Sequence, residues 1–160
     1  MEITLVPAYD RGEEVCGLIR EYIGAQLVEQ PNFRGYLIQQ HYEEELLHPE
    51  QKYGMPDGRL YLLLYGGKPA GCIGLRRLDA ERCEMKRLYV RPQFRGKGLG
   101  DLLVQQIIGD ARQIGYKKML LDTFPFMEAA IALYRKYGFY EIPSYNGSPM
   151  EDLVYLQLEL

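Results

Sequence analysis

The first third of the chain changes from a short strand pattern to helical patterns. Apolar residues from Ile3 to Val6 predict a strand, and Asp10 offers a cap for a helix that runs to about Leu27. The face of this helix expected to be buried carries Val15, Leu18, Ile19 and Tyr22. After a break at Pro31-Asn32, a second helix is predicted from Phe33 to Leu47, and the prolines and glycines from Pro49 to Gly58 predict a loop.

The spacing of apolar residues becomes that of strands after Arg59. Two strands, Leu60 to Tyr65 and Pro69 to Leu78, flank the turn Gly66-Gly67-Lys68 and predict a β-hairpin. A third strand is predicted from Cys83 to Val90. An antiparallel meander is the simplest assembly of these three strands.

The last third of the chain predicts two more helices and two more strands. Helical spacing extends from Leu103 to Ile114, a short buried strand follows from Lys118 to Asp122, and a further helix covers about Ala130 to Tyr137. The chain closes on the alternating pattern of Val154 to Leu160. With no internal repeat or linker, we expect one α/β domain over residues 1–160, in which helices flank a single twisted, mixed and mostly antiparallel sheet.

Composition narrows the classes of function. A chain of 160 residues with 47% hydrophobic residues can bury a core, and its net charge of −3 argues against non-specific nucleic-acid binding. Cys16, Cys72 and Cys83 form no CxxC pair, and His41 and His48 are too far apart along a helix to chelate one ion, so neither a disulfide framework nor a metal site is expected. The N-terminus lacks a signal-peptide pattern and no apolar run is long enough for a membrane span, which predicts a cytoplasmic protein without a membrane partner.

One segment departs from the acidic balance of the chain. Between Met85 and Gly100 there is no acidic residue, and the basic residues are Lys86, Arg87, Arg91, Arg95 and Lys97. Glycines at 96, 98 and 100 allow positive φ values, so that consecutive backbone N–H groups can point into one concavity beside the dipole of the following helix. The segment therefore predicts a phosphate or pyrophosphate site, and the alternative is a flexible surface turn with chance arginines.

Two other phosphate motifs fit this loop less well. A Walker A loop needs Gly-Lys followed by Ser or Thr, whereas here Asp101 follows Gly100. A dinucleotide fingerprint needs G-x-G-x-x-G, and this loop has Asp101 in place of the third glycine. Asp122 mimics the acidic ribose partner of that fingerprint, but the strand Glu84 to Val90 is too charged for its central buried strand. A nicotinamide-dependent oxidoreductase is therefore the less favoured alternative.

The loop Arg95-Gly96-Lys97-Gly98-Leu99-Gly100 resembles the R/Q-x-x-G-x-G/A signature of the GNAT acetyltransferases. Three more segments resemble that family in the same order: the strand Lys86 to Val90, the segment Leu121-Asp122-Thr123 and the helix Ala130 to Phe139. The resemblance covers about Arg59 to Leu160 and implies the GNAT-like acyl-CoA N-acyltransferase fold. Residues 59–160 would form the cofactor-binding core, and residues 1–58, a strand and two helices, the acceptor side.

The resemblance implies a transfer of the acetyl group of acetyl-CoA to a primary amine by direct attack. The loop amides of Arg95, Gly96, Lys97, Gly98, Leu99 and Gly100 would bind the pyrophosphate of the co-substrate. Leu88, Tyr89 and Val90 lie on the strand whose backbone would pair with the pantetheine arm in the manner of β-augmentation.

The resemblance also suggests catalytic roles for two residues. Tyr134 matches the tyrosine that protonates the departing thiolate, with simple core packing as the alternative. Glu84 is the expected base toward the substrate ammonium, directly or through a water, with an ion pair to a neighbouring cation as the alternative. Many relatives carry asparagine where this chain has Met127, which keeps a non-catalytic CoA-binding module as the main alternative function.

Acceptor contacts in similar folds come from the N-terminal helices and the loop before the last strand, here about Phe33 to Tyr53 and Ser144 to Met150. Tyr145 and Glu44 are candidates to face an amine, although the run Glu43-Glu44-Glu45 is typical of solvated surface. We expect a small-molecule or peptide amine as acceptor, no nucleic-acid partner, and either a monomer or a homodimer.

Overall fold

The N-terminal part of the protein consists of one strand and four helices. The computed structural model describes residues 1–160. Its first elements are β1 (Ile3–Pro7), α1 (Gly12–Glu29), α2 (Phe33–Gln39), α3 (Tyr42–Leu47) and α4 (Pro49–Tyr53).

Two predictions for this part are wrong. The single helix predicted from Phe33 to Leu47 is divided, because His41 has a φ of 57° and this left-handed conformation separates α2 from α3. The loop predicted from Pro49 to Gly58 begins with α4, since a proline suits the first position of a helix. The part before Arg59 therefore contains four helices where two were expected.

Seven strands form one mixed sheet in the order β1-β2-β3-β4-β5-β7-β6. The further strands are β2 (Arg59–Tyr65), β3 (Lys68–Arg77), β4 (Arg82–Val90), β5 (Lys118–Thr123), β6 (Tyr140–Ile142) and β7 (Val154–Glu159). Only β4 and β5 pair in parallel, and the other neighbours are antiparallel. The predicted fold class is confirmed, whereas the short edge strand β6 was not predicted, because its first two residues are exposed and show no apolar alternation.

The centre of the sheet is irregular at β4. Arg87 has a φ of 59°, and the register between β3 and β4 shifts between Cys72 and Gly74, so that β4 contains a bulge. β4 pairs with β5 only from Arg82 to Glu84, and the two strands separate beyond that point. The edge of β4 from the bulge to Val90 is therefore free on the β5 side.

Helices cover both faces of the sheet. α5 (Leu99–Ile114) and α6 (Glu128–Lys136) contribute to a buried cluster on one face, and α1 and α2 contribute to a second cluster on the other. Leu62 and Leu64 belong to the second cluster and Leu63 to the first, which explains the continuous apolar run of β2. None of these helices combines the length and the apolar content that a membrane span requires.

Candidate active site

The loop between β4 and α5 presents a row of free backbone donors. Gly96 and Gly98 have φ values of 79° and 75°, so a side chain at either position would be strained. Gly100 instead lies in the first turn of α5, where a Cβ would come within 3.3 Å of Leu133 Cδ2. The backbone N–H groups of residues 96–100 donate to no acceptor within the protein. Consecutive free N–H groups at a helix N-terminus form an anion-binding site.

A groove of about 800 Å³ begins at this loop and is bounded by α1, the free end of β4 and the start of α6. The predicted cofactor-binding residues that line it are Leu88, Tyr89, Val90, Arg95, Gly96, Gly98, Leu99 and Gly100. Met127 also lines the groove and contributes a thioether where an amide was expected in relatives. The volume is typical of small-molecule sites, which measure about 300–1,000 Å³.

The two basic side chains of the loop lie in different surroundings. The guanidinium of Arg95 donates from Nε to the carbonyl of Val90 at 3.0 Å. Lys97 Nζ lies 5.4 Å from the centre of the Tyr65 ring, and Lys97 is not part of the groove wall. Lys97 can therefore reach a ligand through its backbone N–H, while its ammonium is directed to an aromatic face.

A smaller cavity of about 40 Å³ lies where β4 and β5 separate, and it shares Tyr22, Gln26 and Leu88 with the groove. Tyr134 lines this cavity from α6. Its side chain is buried, and its ring packs 5.7 Å from that of Phe139. Burial, followed by the proximity of Tyr22 and Asp122, raises the pKa of Tyr134 well above its ordinary value, so the phenol remains protonated.

Asp122 at the end of β5 forms another wall of the cavity. Its Oδ2 accepts hydrogen bonds from the hydroxyl of Tyr36 and, at 2.7 Å, from Asn146 Nδ2. Asn146 Nδ2 also donates to the Tyr36 hydroxyl at 2.8 Å. Asp122 therefore faces the cavity, and it is not part of the groove wall beside the glycine loop, as a ribose partner would have to be.

Glu84 lies on β4 just before the strands separate and is 3% exposed. Its Oε1 accepts from Arg76 Nε at 2.8 Å, its Oε2 accepts from the Tyr145 hydroxyl, and Lys86 Nζ is 3.9 Å from Oε1. Burial alone would raise the pKa of Glu84, but Lys86, Arg76 and the hydrogen bond from Tyr145 outweigh it, and the pKa is lowered. Neither Glu84 nor Tyr145 lines the cavity.

Glu45 forms a buried ion pair with the bulge of β4. Arg87 donates to it through Nε and Nη2, each at 2.8 Å, Lys52 Nζ is 2.8 Å from Oε1, and the Tyr53 hydroxyl donates to Oε2 at 2.9 Å. Burial opposes the charged form, yet Arg87 and Lys52 keep the pKa of Glu45 well below its ordinary value. The interpretation of Glu43-Glu44-Glu45 as solvated surface is therefore wrong for Glu45, while Glu43 and Glu44 are exposed.

Several residues of the cavity were not recognised in the sequence. Gln40 and Arg87 line it, as do Asp122 and Tyr36, and Asn146 orients Asp122 from the loop before β7. Tyr36 and Asn146 fall within the two segments expected to contact the acceptor. The sequence indicated Asp122 only as a possible partner of a ribose. Of the two residues predicted to face an amine, Tyr145 donates a hydrogen bond to Glu84, next to the cavity residue Lys86. Glu44 is exposed.

The residues present fit a co-substrate that carries a pyrophosphate and an extended amide arm. The free N–H groups at 96–100 suit phosphate oxygens, and the free edge of β4 offers backbone groups to the amides of an added strand. No three His, Cys, Asp or Glu side chains come close enough to hold a metal ion together.

Comparison with known proteins places this geometry in a family. The model described as the Acetyltransferase (GNAT) family matches residues 25–139. An uncharacterised N-acetyltransferase of Schizosaccharomyces pombe is 37% identical over 145 residues, which cover 89% of this chain and 85% of that protein. An acetyltransferase structure from Streptococcus agalactiae shares the fold with a TM-score of 0.79 at 19% identity, covering 99% of this chain and 98% of its own.

A GNAT family acetyltransferase from Elizabethkingia anophelis, solved with acetyl-CoA bound, has a TM-score of 0.57 and 30% identity, covering 65% of this chain and 77% of its own. The structure of this chain combines a separated parallel strand pair, a free strand edge and an anion-binding loop before a helix. The chain belongs to the GNAT acetyltransferase family and is an N-acetyltransferase. The alternative of a nicotinamide-dependent oxidoreductase is therefore wrong.

Proposed function

We propose that this enzyme transfers the acetyl group of acetyl-CoA to a small-molecule or peptide primary amine. The observation that carries the proposal is the contact between two spaces: the groove that begins at the free N–H groups of residues 96–100, and the cavity lined by Tyr134. They adjoin at Tyr22, Gln26 and Leu88. The loop amides would hold the pyrophosphate, and the backbone of Leu88, Tyr89 and Val90 would align the pantetheine arm toward the cavity.

Acetyl-CoA supplies the thioester carbon that the free amine attacks. Tyr134 would donate its phenolic proton to sulfur as the carbon–nitrogen bond forms and the carbon–sulfur bond breaks. The nitrogen then loses its second proton, which restores the phenol. The burial that raises the pKa of Tyr134 also disfavours a free thiolate, so a neutral thiol is the favoured leaving group in this site.

We propose Glu84 as the acceptor of the first proton of the substrate ammonium. Because Glu84 does not line the cavity, the proton would move through a water to the Tyr145 hydroxyl, which passes its own proton to Glu84 Oε2. The lowered pKa of Glu84 keeps this carboxylate ionised and able to accept the hydrogen bond from Tyr145.

The side chains of Cys16, Cys72 and Cys83 are buried and free. Free thiols suit a reducing compartment, which supports the proposal that the enzyme acts in the cytoplasm.

The proposal is tested by mixing the purified protein with acetyl-CoA and a broad panel of primary amines. Thiol release and the mass of the acetylated amine are the readouts, and calorimetric titrations with acetyl-CoA and NADH measure donor binding. We expect binding of acetyl-CoA, no binding of NADH, and transfer to at least one amine. Tight binding of acetyl-CoA without transfer to any member of the panel would contradict the proposal.

A further inference from the structure

The cavity beside Tyr134 holds charges of both signs that do not pair with each other. Asp122 lies on one wall, and Lys86 and Arg87 lie on another. The nitrogen atoms of both cations are within 4.0 Å of other carboxylates, Glu84 and Glu45, and neither is that close to Asp122. A ligand with one positive and one negative group would be complementary to both walls of the cavity.

The carboxylate of Asp122 is oriented by neutral groups only. Tyr36 and Asn146 both donate to Oδ2, and Oδ1 accepts no hydrogen bond from the protein. No Lys, Arg or His nitrogen lies within the 4.0 Å of a salt bridge to Asp122. An ammonium group of a ligand would therefore be the first cation to pair with this carboxylate.

Around Lys86 and Arg87, which line the cavity from β4, cations outnumber the carboxylates that they contact. Arg76 and Lys86 share Glu84, while Arg87 and Lys52 share Glu45. Lys86 and Arg87 also converge on one neutral atom, because Gln40 Oε1 accepts from Lys86 Nζ at 2.7 Å and from Arg87 Nη2 at 3.0 Å. The side chains of Lys86 and Arg87 are only 8% and 4% exposed, and burying charge is unfavourable unless it is compensated.

The lowered pKa of Lys52 agrees with this excess of positive charge. Burial, followed by the charge of Lys86, lowers the pKa of Lys52 to about 7. Burial also lowers the pKa of Lys86. The charge of Glu84 opposes this, the charge of Arg87 adds to it, and the charges of Asp122 and Glu45 oppose it further. An anionic group bound next to Lys86 would relieve the repulsion among these cations.

Building on the proposed function, we propose that the acceptor is a small amino acid-like zwitterion. Its primary ammonium pairs with Asp122 Oδ1, and its carboxylate, a few bonds away, binds Lys86 next to Gln40. The cavity of about 40 Å³ is small and adjoins the groove at Tyr22, Gln26 and Leu88, which disfavours a bulky amine. A peptide N-terminus has the ammonium but no carboxylate at that distance, and it leaves the cations uncompensated.

The test compares matched triplets of acceptors at saturating acetyl-CoA. Each triplet contains a free α- or β-amino acid, its carboxamide and its decarboxylated amine, and kcat/KM is measured by thiol release. We expect the best amino acid to exceed its carboxamide and its amine by about 10²-fold, because the two analogues offer no carboxylate to the surplus of buried cations. The same triplets are scored as ligands of the CoA-loaded enzyme by thermal shift.

Two variants distinguish the two ends of the site. Asp122→Asn should lower kcat/KM for all three members of a triplet. Lys86→Gln should lower it by about tenfold or more for the amino acid alone, so that the preference for a carboxylate disappears. Asp10→Asn and Lys117→Gln, which change exposed residues far from the cavity lining, should behave as the wild type. Circular dichroism and melting temperature verify that each variant is folded.

The outcomes separate this inference from the proposed function. If the best acceptor lacks a carboxylate and Lys86→Gln leaves its kcat/KM unchanged, the zwitterion site is wrong while acetyl transfer stands. If no amine leads to thiol release, the proposed function fails. The thermal shifts of the CoA-loaded enzyme then still test whether the cavity binds an amino acid. Stabilisation by amino acids that is lost in Asp122→Asn and Lys86→Gln supports the site, and its absence for every amino acid overturns it.

Discussion

Three buried or partly buried carboxylates around β4 and β5 have different partners, and their roles follow from these partners. Glu45 accepts from four donor atoms of Arg87, Lys52 and Tyr53, so it is fully compensated. Glu84 is engaged on both oxygens. Asp122 has one oxygen that the protein leaves free at the cavity. We therefore propose that Glu45 holds α3 against β4, that Glu84 accepts a proton through Tyr145, and that Asp122 pairs with the ligand.

A double-mutant cycle tests the proton route through Tyr145. Glu84→Gln and Tyr145→Phe should each lower kcat/KM by about 10²-fold, a typical contribution of general base catalysis. Because both residues belong to one route, the double variant should be no slower than either single variant. Tyr140→Phe, which alters an exposed tyrosine on β6, is the matched control. Full activity of Tyr145→Phe combined with loss in Glu84→Gln would exclude the relay.

The pH dependence of kcat/KM gives a second test at this residue. The pKa of Glu84 is lowered, so its carboxylate is already ionised above the ordinary glutamate value of about 4.5 and contributes no acid limb there. Above pH 5, we expect kcat/KM to rise with pH as the ammonium of the acceptor loses its proton. This rise should move when two acceptors of different pKa are compared. A limb that stays in place for both acceptors and vanishes in Glu84→Gln would contradict this assignment.

At the scale of elements, the Glu45–Arg87 pair ties α3 to the bulge of β4. This contact joins residues 42 positions apart in sequence. The left-handed conformation of Arg87, which costs about 1–2 kcal/mol, is held in place by this pair.

Glu45→Gln should reduce the free energy of unfolding by about 3–5 kcal/mol, because Arg87 would remain buried without its carboxylate. The pKa of Glu45 is lowered in the folded state, so its contribution is complete above the unfolded pKa near 4.5 and is lost as the pH falls toward the folded value. Urea unfolding across this range should be steeply pH-dependent in the wild type and flatter in the variant. Glu43→Gln changes an exposed neighbour and should unfold like the wild type. If Glu45→Gln is as stable as the wild type, the Glu45–Arg87 pair does not stabilise the contact between α3 and β4.

The glycine loop is the second element with a separable role. Gly98 precedes α5 with a φ of 75°, whereas Gly109 lies within α5 with open space around it. Gly98→Ala should weaken acetyl-CoA binding by about tenfold, because a Cβ disfavours the left-handed conformation that aims the N–H groups. Gly109→Ala should leave binding unchanged. Calorimetric affinities that are equal for both variants would show that the loop conformation is not needed.

For the whole molecule, the sequence predicted the sheet, the loop and α6, because these depend on local periodicity and spacing. It did not predict the break at His41, since Phe33 to Leu47 has continuous helical spacing and the break is a backbone conformation. The sequence also did not predict the hydrogen-bonded pairs of residues around the cavity. Tyr36 and Asp122 are 86 residues apart, and no local pattern relates an ionisable residue to a partner at that separation.

We propose that the groove and the cavity act together, with Tyr134 as the proton donor on the cavity side. The most direct measurement is the kcat of Tyr134→Phe beside its affinity for acetyl-CoA, with Tyr140→Phe as control. Since Tyr134→Phe keeps the ring that packs beside Phe139, the variant should fold and bind acetyl-CoA as the wild type does. Its kcat should fall by about 10²–10⁴-fold. A Tyr134→Phe enzyme that retains the wild-type kcat would contradict the account.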